Sequence, residues 1–358
     1  MPQKSASRRL LMGQVLTPSD VAVYPASADL ADSPAHGAGD DPLPQTVRMA
    51  FAPATDAQAA ELFTWNLAHT HYENFSVVSA LLPRRLRQDF CNIYAFCRIA
   101  DDLGDEITDK QQSLRLLARF RKETEDLFSG RVSTIVFAAL EATIARHQIP
   151  IQPFLDLIDA FEQDQRVDRY ETYQQLRDYC RRSADPVGRL VLYMSGYRDP
   201  QRQQLSDCTC TALQLANFWQ DVRRDLTDRN RIYLPRETMD QFHVTEDQLK
   251  AGACDDHYRQ AIRFEVDRTA ALFDQGEALL PLLDDQVRSQ IALFGQGGRA
   301  ILQAIRRSDY DTLSSRPVLS RWQKGQLVLR AMAGKLRQVV QHDSAPPAAA
   351  VSAKPEAP

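Results

Sequence analysis

Between residues 55 and 342 apolar side chains recur at every third or fourth position, and almost nowhere do they alternate with polar ones. A period near 3.6 buries one stripe of a helix, whereas a half-buried strand needs a period of two. β-Branched runs bounded by turn residues are also scarce. The chain is therefore expected to fold as a single all-α domain. Helices are predicted near 56–70, 83–104, 110–129, 133–147, 152–166, 172–195, 201–228, 255–280, 285–306 and 317–341. The punctuation agrees: Pro150 and Pro153 flank one start, Gly130 follows an end, Pro200 opens a helix and Pro235 closes the segment after the longest. Residues 1–54 scatter Ser, Pro, Asp and Gly, and residues 343–358 are rich in Pro and Ala. Both are expected to be disordered tails.

Composition narrows the class. With 358 residues, 44% of them hydrophobic, a large core is within reach. A net charge of -4 gives no footprint for nucleic acid. No stretch reaches the roughly 18 apolar residues of a membrane span. Arg8-Arg9-Leu10-Leu11 near the start lacks the apolar run of a signal peptide. The expectation is a cytoplasmic enzyme, with surface association with a membrane left open. Cys91, Cys97, Cys180, Cys208, Cys210 and Cys254 contain no C-x-x-C pair and read as thiols in a reducing compartment.

Chemistry enters where an apolar stripe turns acidic. Leu86, Phe90, Ile93/Tyr94 and Cys97 form one helical line, and the next positions on it are Asp101 and Asp105. Residues four apart on a helix have Cβ atoms about 6 Å from one another, so both carboxylates can reach one cation. Unpaired carboxylates on a core-facing line are costly, which argues for such a cation. Asp102 and Glu106 fit a solvated helix end, and Arg98 lies near the acidic face. The pattern returns in Leu213, Asn217, Asp221 and Asp225, again every fourth residue. Facing helices of a bundle can bring two such clusters together around metal. Oxygen ligands without His or Cys point to Mg²⁺, which is commonly shared between carboxylates and substrate phosphates. Nearby arginines suit a metal–diphosphate complex. Arg223 and Arg224 read as surface pairs; Arg231, in Arg231-Ile-Tyr-Leu-Pro235, is the better phosphate candidate.

Asp101-Asp-Leu-Gly-Asp105 and Asn217-Phe-Trp-Gln-Asp221-Val-Arg-Arg-Asp225, with the segment from Arg231, resemble the two aspartate-rich motifs of the squalene/phytoene synthases over about residues 60–335. Three stretches resemble its hopanoid-associated hydroxysqualene synthase branch, HpnC: His71-Tyr-Glu-Asn-Phe-Ser76, Ser183-Ala-Asp-Pro-Val-Gly188, and Gln220 before Asp221. The resemblance implies a class I isoprenoid synthase fold, one helical domain around a central cavity. It implies that Asp101, Asp105, Asn217, Asp221 and Asp225 hold two or three Mg²⁺ ions with the substrate diphosphate. It places His71, Asn74, Arg98, Gln214, Arg231 and Tyr310 near that diphosphate, and Tyr179 in the cavity wall.

The implied reaction is conversion of presqualene diphosphate to hydroxysqualene by ionisation and water capture, without NADPH. Aromatic faces that could steady the cation are Phe75, Phe90, Tyr94, Tyr179 and Phe218. Peripheral membrane association and coupling to other enzymes of squalene and hopanoid synthesis stay open. The alternatives are head-to-head condensation of farnesyl diphosphate, or of geranylgeranyl diphosphate to phytoene, and a non-catalytic helical assembly factor.

Overall fold

The computed structural model describes residues 43–54, 56–71 and 83–319. The side chain of His71, together with Asn74, Phe75, the tail from 343 and most of the helix expected over 317–341, lies outside them.

The described residues form helices and connecting turns. Their β pairing is confined to isolated bridges, Pro53 with Thr134 and Arg169 with Ile232. In chain order the helices are α1 (Gln45–Ala50), α2 (Ala57–His71), α3 (Arg87–Asp105), α4 (Lys110–Phe128), α5 (Ile135–His147), α6 (Gln152–Asp164), α7 (Tyr173–Ser183), α8 (Asp185–Met194), α9 (Pro200–Gln220), α10 (Val222–Arg229), α11 (Arg236–Gln241), α12 (Glu246–Ala251), α13 (Asp256–Glu277) and α14 (Asp285–Arg307).

Local sequence explains the ends. Asp199 accepts from the Arg202 amide at 3.0 Å ahead of Pro200, and Thr172 accepts from the Gln175 amide at 3.2 Å. Two segments expected as single helices are each divided. The 172–195 segment breaks at Ala184, because Pro186 brings no amide hydrogen to the second position of α8. The 201–228 segment bends at Asp221, although the Asp225 amide still donates to the Asp221 carbonyl at 2.8 Å. Residues 45–50, expected within a disordered tail, form α1 instead. Its Val47 and Ala50 are buried.

Most of the helices gather around two large hydrophobic cores, and a small third cluster joins Leu192 to Leu279, Leu283 and Val287. One large core surrounds α3, which packs on α1, α2, α4, α5 and α6. The other surrounds α9, which packs on α7, α8, α13 and α14 and carries the fully buried Trp219. Helices α6 and α8 contribute to the first core and also touch the second, and Phe294 packs against both. Contact between α8 and α9 is close at Gly188, where a Cβ would collide with Ser206 Oγ and Cys210 Sγ. Each large core thus centres on a helix that ends in one of the acidic motifs.

Candidate active site: carboxylates and arginines at two helix ends

At the end of α3, Asp101 and Asp102 are 2% and 1% exposed, and the Asp105 side chain is 1% exposed. Burial pushes the Asp101 carboxyl well above the usual carboxylate range; the charges of Asp105 and Asp102 add to this, while Arg98 and Arg229 oppose it.

Asp102 corrects the sequence expectation of a solvated helix end. Arg98 Nη2 lies 2.5 Å from its Oδ1, and Thr46 on α1 donates to its Oδ2 at 2.7 Å. The physical reason is that α3 is covered on every side, so the inward stripe is not its only buried face. Arg98 accordingly serves Asp102 first; its nearest approach to Asp101 is 3.8 Å. Glu106, the C-cap, is only half-buried.

Asp105 meets the second motif. Arg229 Nη2 is 3.1 Å from its Oδ2, and Arg231 Nη1 donates to its Oδ1 at 3.3 Å. The backbone explains this reach. Asn230 takes the left-handed conformation with φ 53°, ending α10. Ile232 then donates to the Asp168 carbonyl at 2.9 Å. That bond turns the chain so that Arg231 points at α3. Arg231 also donates from Nη2 to the Asp164 carbonyl at 2.9 Å, with Nη1 3.5 Å from the Asp164 carboxylate.

On α9 and its bend, Gln214, Asn217, Asp221 and Asp225 are all buried. Arg316, arriving from beyond α14, grips Asp221 through Nε and Nη2, the latter at 3.1 Å from Oδ2. Gln220 accepts from the same Nη2 at 2.9 Å and donates to the Pro317 carbonyl. Arg224 pairs with Asp228 as expected, whereas Arg223 donates to the Leu313 carbonyl.

Tyr179 donates to Asp164 Oδ2 at 2.8 Å and is 1% exposed. It faces a cluster of rings. Phe218 stacks on Tyr233 with centroids 3.7 Å apart, and Tyr179 lies 5.6 Å from Tyr170, 6.1 Å from Tyr233 and 6.2 Å from Phe218. Phe90 and Tyr94 belong to the core around α3 instead. Tyr310 takes φ 59° after α14, with Arg263 4.9 Å from its ring centre, and packs against the core around α9.

An apolar pocket of about 50 Å³ opens between α8, α9 and α14, lined by Ala184, Val187, Val191, Leu213, Ile291 and Phe294. Asp185 is not among its walls. It faces an outer cleft of about 980 Å³ between α6, α7, α8 and α9, beside Arg189 and Asp207.

The donors suit a hard cation. Asp101 Oδ2 and Asn217 Oδ1 are buried oxygens that receive no hydrogen bond. No three acidic, His or Cys side chains among the described residues converge closely enough to hold an ion alone. Phosphate oxygens of a substrate would complete such a shell. Asp164, Arg316 and Thr46 were not singled out from the sequence. Asp164 was legible there: Leu157, Phe161 and Asp164 form another apolar line that turns acidic, and all three are buried.

The sequence profile described as squalene/phytoene synthase matches residues 68–323. A 15-cis-phytoene synthase from Synechococcus elongatus is 31% identical over 263 residues, covering 70% of this chain and 85% of the relative. The crystal structure of squalene synthase HpnC from Alicyclobacillus acidocaldarius is similar with TM-score 0.69 at 47% identity, covering 71% of this chain and 96% of that one. A dehydrosqualene synthase in complex with ligand gives TM-score 0.70 at 24% identity over 79% and 98% of the two chains, a likeness of fold.

Proposed function

The chain belongs to the squalene/phytoene synthase family and has its class I isoprenoid synthase fold, and from that premise we propose that it converts presqualene diphosphate to hydroxysqualene and diphosphate with Mg²⁺. The observation that carries the chemistry is the pair of undonated buried oxygens, Asp101 Oδ2 and Asn217 Oδ1, set among arginines that link the two motifs. The branch is supported by 47% identity to squalene synthase HpnC over nearly all of that chain.

Asp101, Asp105, Asn217, Asp221 and Asp225 would hold Mg²⁺. The ions, when bound, neutralise the diphosphate and make it a leaving group. Arg98, Arg229, Arg231, Arg316 and Gln214 supply hydrogen bonds to its oxygens, and arginine can do so in bidentate fashion. His71, Asn74 and Tyr310 are proposed to close on the same group. The C–O bond breaks and its electron pair leaves with diphosphate. Tyr179, Phe218, Tyr233 and Tyr170 offer π-faces to the cyclopropylcarbinyl cation. The ring opens, a water oxygen bonds to carbon, and that water loses a proton to give the alcohol. Val187, Val191, Leu213 and Phe294 keep the prenyl chains out of water. At about 50 Å³ the pocket must widen to admit them.

Among the three branch markers, Asp185 acts at a distance, because it faces the outer cleft and not the apolar pocket. Gln220 is closer to the chemistry through its bond to Arg316. Incubation with presqualene diphosphate and Mg²⁺, with and without NADPH, tests the proposal. Hydroxysqualene is expected in equal amount under both conditions. NADPH-dependent squalene, or ready product formation from farnesyl or geranylgeranyl diphosphate alone, would overturn it in favour of head-to-head condensation.

No helix among the described residues is long and apolar enough to cross a membrane. We propose that the enzyme works in the cytoplasm and meets its apolar substrate at a membrane surface, next to other enzymes of squalene and hopanoid synthesis.

A further inference from the structure

Asp164 ends α6 between the two halves of the site. It is 3% exposed. Its Oδ2 receives the Tyr179 hydroxyl at 2.8 Å and lies 3.5 Å from Arg231 Nη1, while its carbonyl receives Arg231 Nη2 at 2.9 Å. Arg231 in turn donates to Asp105 at 3.3 Å. The result is a continuous buried line: Tyr179, Asp164, Arg231, Asp105. One end lies in the aromatic cluster, and the other lies in the first acidic motif.

We infer that Asp164 is a positioning residue that fixes the Tyr179 hydroxyl and the Arg231 guanidinium relative to each other, and so sets the distance between the cation and the departing diphosphate. The inference rests on the proposed diphosphate chemistry, though not on which product forms. Two physical points support it. A carboxylate shared by a phenol and a guanidinium orients both, because an ionised acceptor makes the stronger hydrogen bonds. Catalysis by prearranged charge fails when a group is misplaced by about 1 Å, so such orientation has kinetic weight. The bond to Asp164 also uses the Tyr179 hydroxyl hydrogen. The Tyr179 oxygen is therefore left with lone pairs, and not a proton, to offer. That is the polarity that favours a neighbouring cation and that can accept a hydrogen bond from the attacking water.

The side chain offers a way to separate its two arms. Asp164→Asn keeps an oxygen that can accept from Tyr179 but removes the charge that holds Arg231. Tyr179→Phe removes the other arm alone. Inhibition by inorganic diphosphate in the presence of Mg²⁺ reads the Arg231 arm, and the distribution of prenyl products reads the Tyr179 arm. Asp164→Asn is expected to weaken diphosphate inhibition about tenfold, and Arg231→Gln at least as much. The double variant should be no weaker than Arg231→Gln, because both changes act through one guanidinium. Tyr179→Phe should leave diphosphate inhibition within about twofold of wild type while shifting the product distribution.

Thermal melts accompany each variant, and Asp164→Ser provides the same comparison with a smaller neutral side chain if Asn proves unstable. Multiplicative losses in the double variant, or diphosphate inhibition unchanged by Asp164→Asn, would overturn the inference. These readouts are distinct from failure of the proposed reaction, which would appear as a different wild-type product with the coupling between Asp164 and Arg231 intact.

Discussion

Asp185 is a buried acid that the structure keeps protonated, and replacing it by Asn should remove a measurable pH dependence of stability. The residue is 1% exposed at the start of α8, with Thr211 donating to its Oδ1 at 2.8 Å. Its neighbour Asp207 accepts a bidentate pair of hydrogen bonds from Arg189 at 3.0 and 2.6 Å. Burial first, and then the Asp207 charge, push the Asp185 carboxyl from 3.8 up to about 8; the Thr211 bond, Arg177 and Arg189 only partly oppose this. Because the folded-state value is raised, the folded protein binds more protons than the unfolded chain between those two values. Stability is then fully present below the lower value and is lost as pH rises toward the upper one, at a limiting rate of about 1.4 kcal/mol per pH unit. Between pH 6 and 8 the limit is roughly 3 kcal/mol; water in the open outer cleft screens the new charge and leaves about 1–2 kcal/mol. Asn keeps the acceptor for Thr211 and offers Asp207 a donor without a titrating proton. Melting curves should therefore lie closest at or below about pH 4 and diverge as pH rises. By pH 8.5 the Asp185→Asn variant should melt about 3–6 °C above wild type. Turnover should stay within about threefold, since Asp185 does not line the apolar pocket. Parallel melting curves from pH 5 to 9 would falsify the reasoning.

Asp101→Asn or Asp221→Asn should lower turnover at least ~10²-fold with an unchanged circular dichroism spectrum, because the loss is of charge stabilisation and not of packing; turnover within tenfold of wild type would remove these residues from the metal shell. Arg316→Ala should raise KM for the prenyl diphosphate about tenfold or more, and a steady-state titration that shows no change would mean that Arg316 only caps Asp221. Gly188→Ala should cost about 1–3 kcal/mol in chemical denaturation, because a methyl group there strikes Ser206 and Cys210. Adding Ser206→Ala and Cys210→Ala should recover most of that loss.

The amphipathic period made the helices legible, and the places where it failed have specific causes. Ala184 and Asp221 divide segments whose apolar pattern runs straight through the break. Pro186 announced the first break. Nothing in the pattern announced the second, because the backbone bonding of α9 continues into α10 across the bend. Helix α1 was missed because six residues carry too little periodicity to register, yet Thr46 on it holds Asp102. The acidic residues of the site were legible because carboxylates on an apolar line are chemically conspicuous. Asp102 was misjudged for the same reason: the stripe argument assumes one buried face, and α3 is buried on all of them. The arginine partners were harder still. Arg229, Arg231 and Arg316 lie in loops or at helix ends, where no period indicates a direction. Only the turn at Asn230 aims the first two at Asp105.

Those pairings bear on how the proposed site would accept its load. Asp102, Asp105, Asp164 and Asp221 each have an arginine within about hydrogen-bonding range, namely Arg98, Arg231 or Arg316, with Arg229 doubling on Asp105. Asp101 does not; Arg98 Nη1 is 3.8 Å away, and the same guanidinium is engaged through Nη2 with Asp102. Burying an unpaired carboxylate is costly, and a carboxylate already held by arginine binds a cation less readily. Asp101 is therefore the acid with the most to gain from a cation, and it should be the first to engage one. Asp105 and Asp221 can follow only if Arg229, Arg231 and Arg316 find other anions, and the phosphate oxygens of the substrate provide them. The exchange leaves the buried carboxylates and arginines matched once ion and diphosphate are both in place. It also makes metal binding and diphosphate binding mutually dependent, so the affinity for Mg²⁺ alone should be weak and should rise steeply when inorganic diphosphate is present.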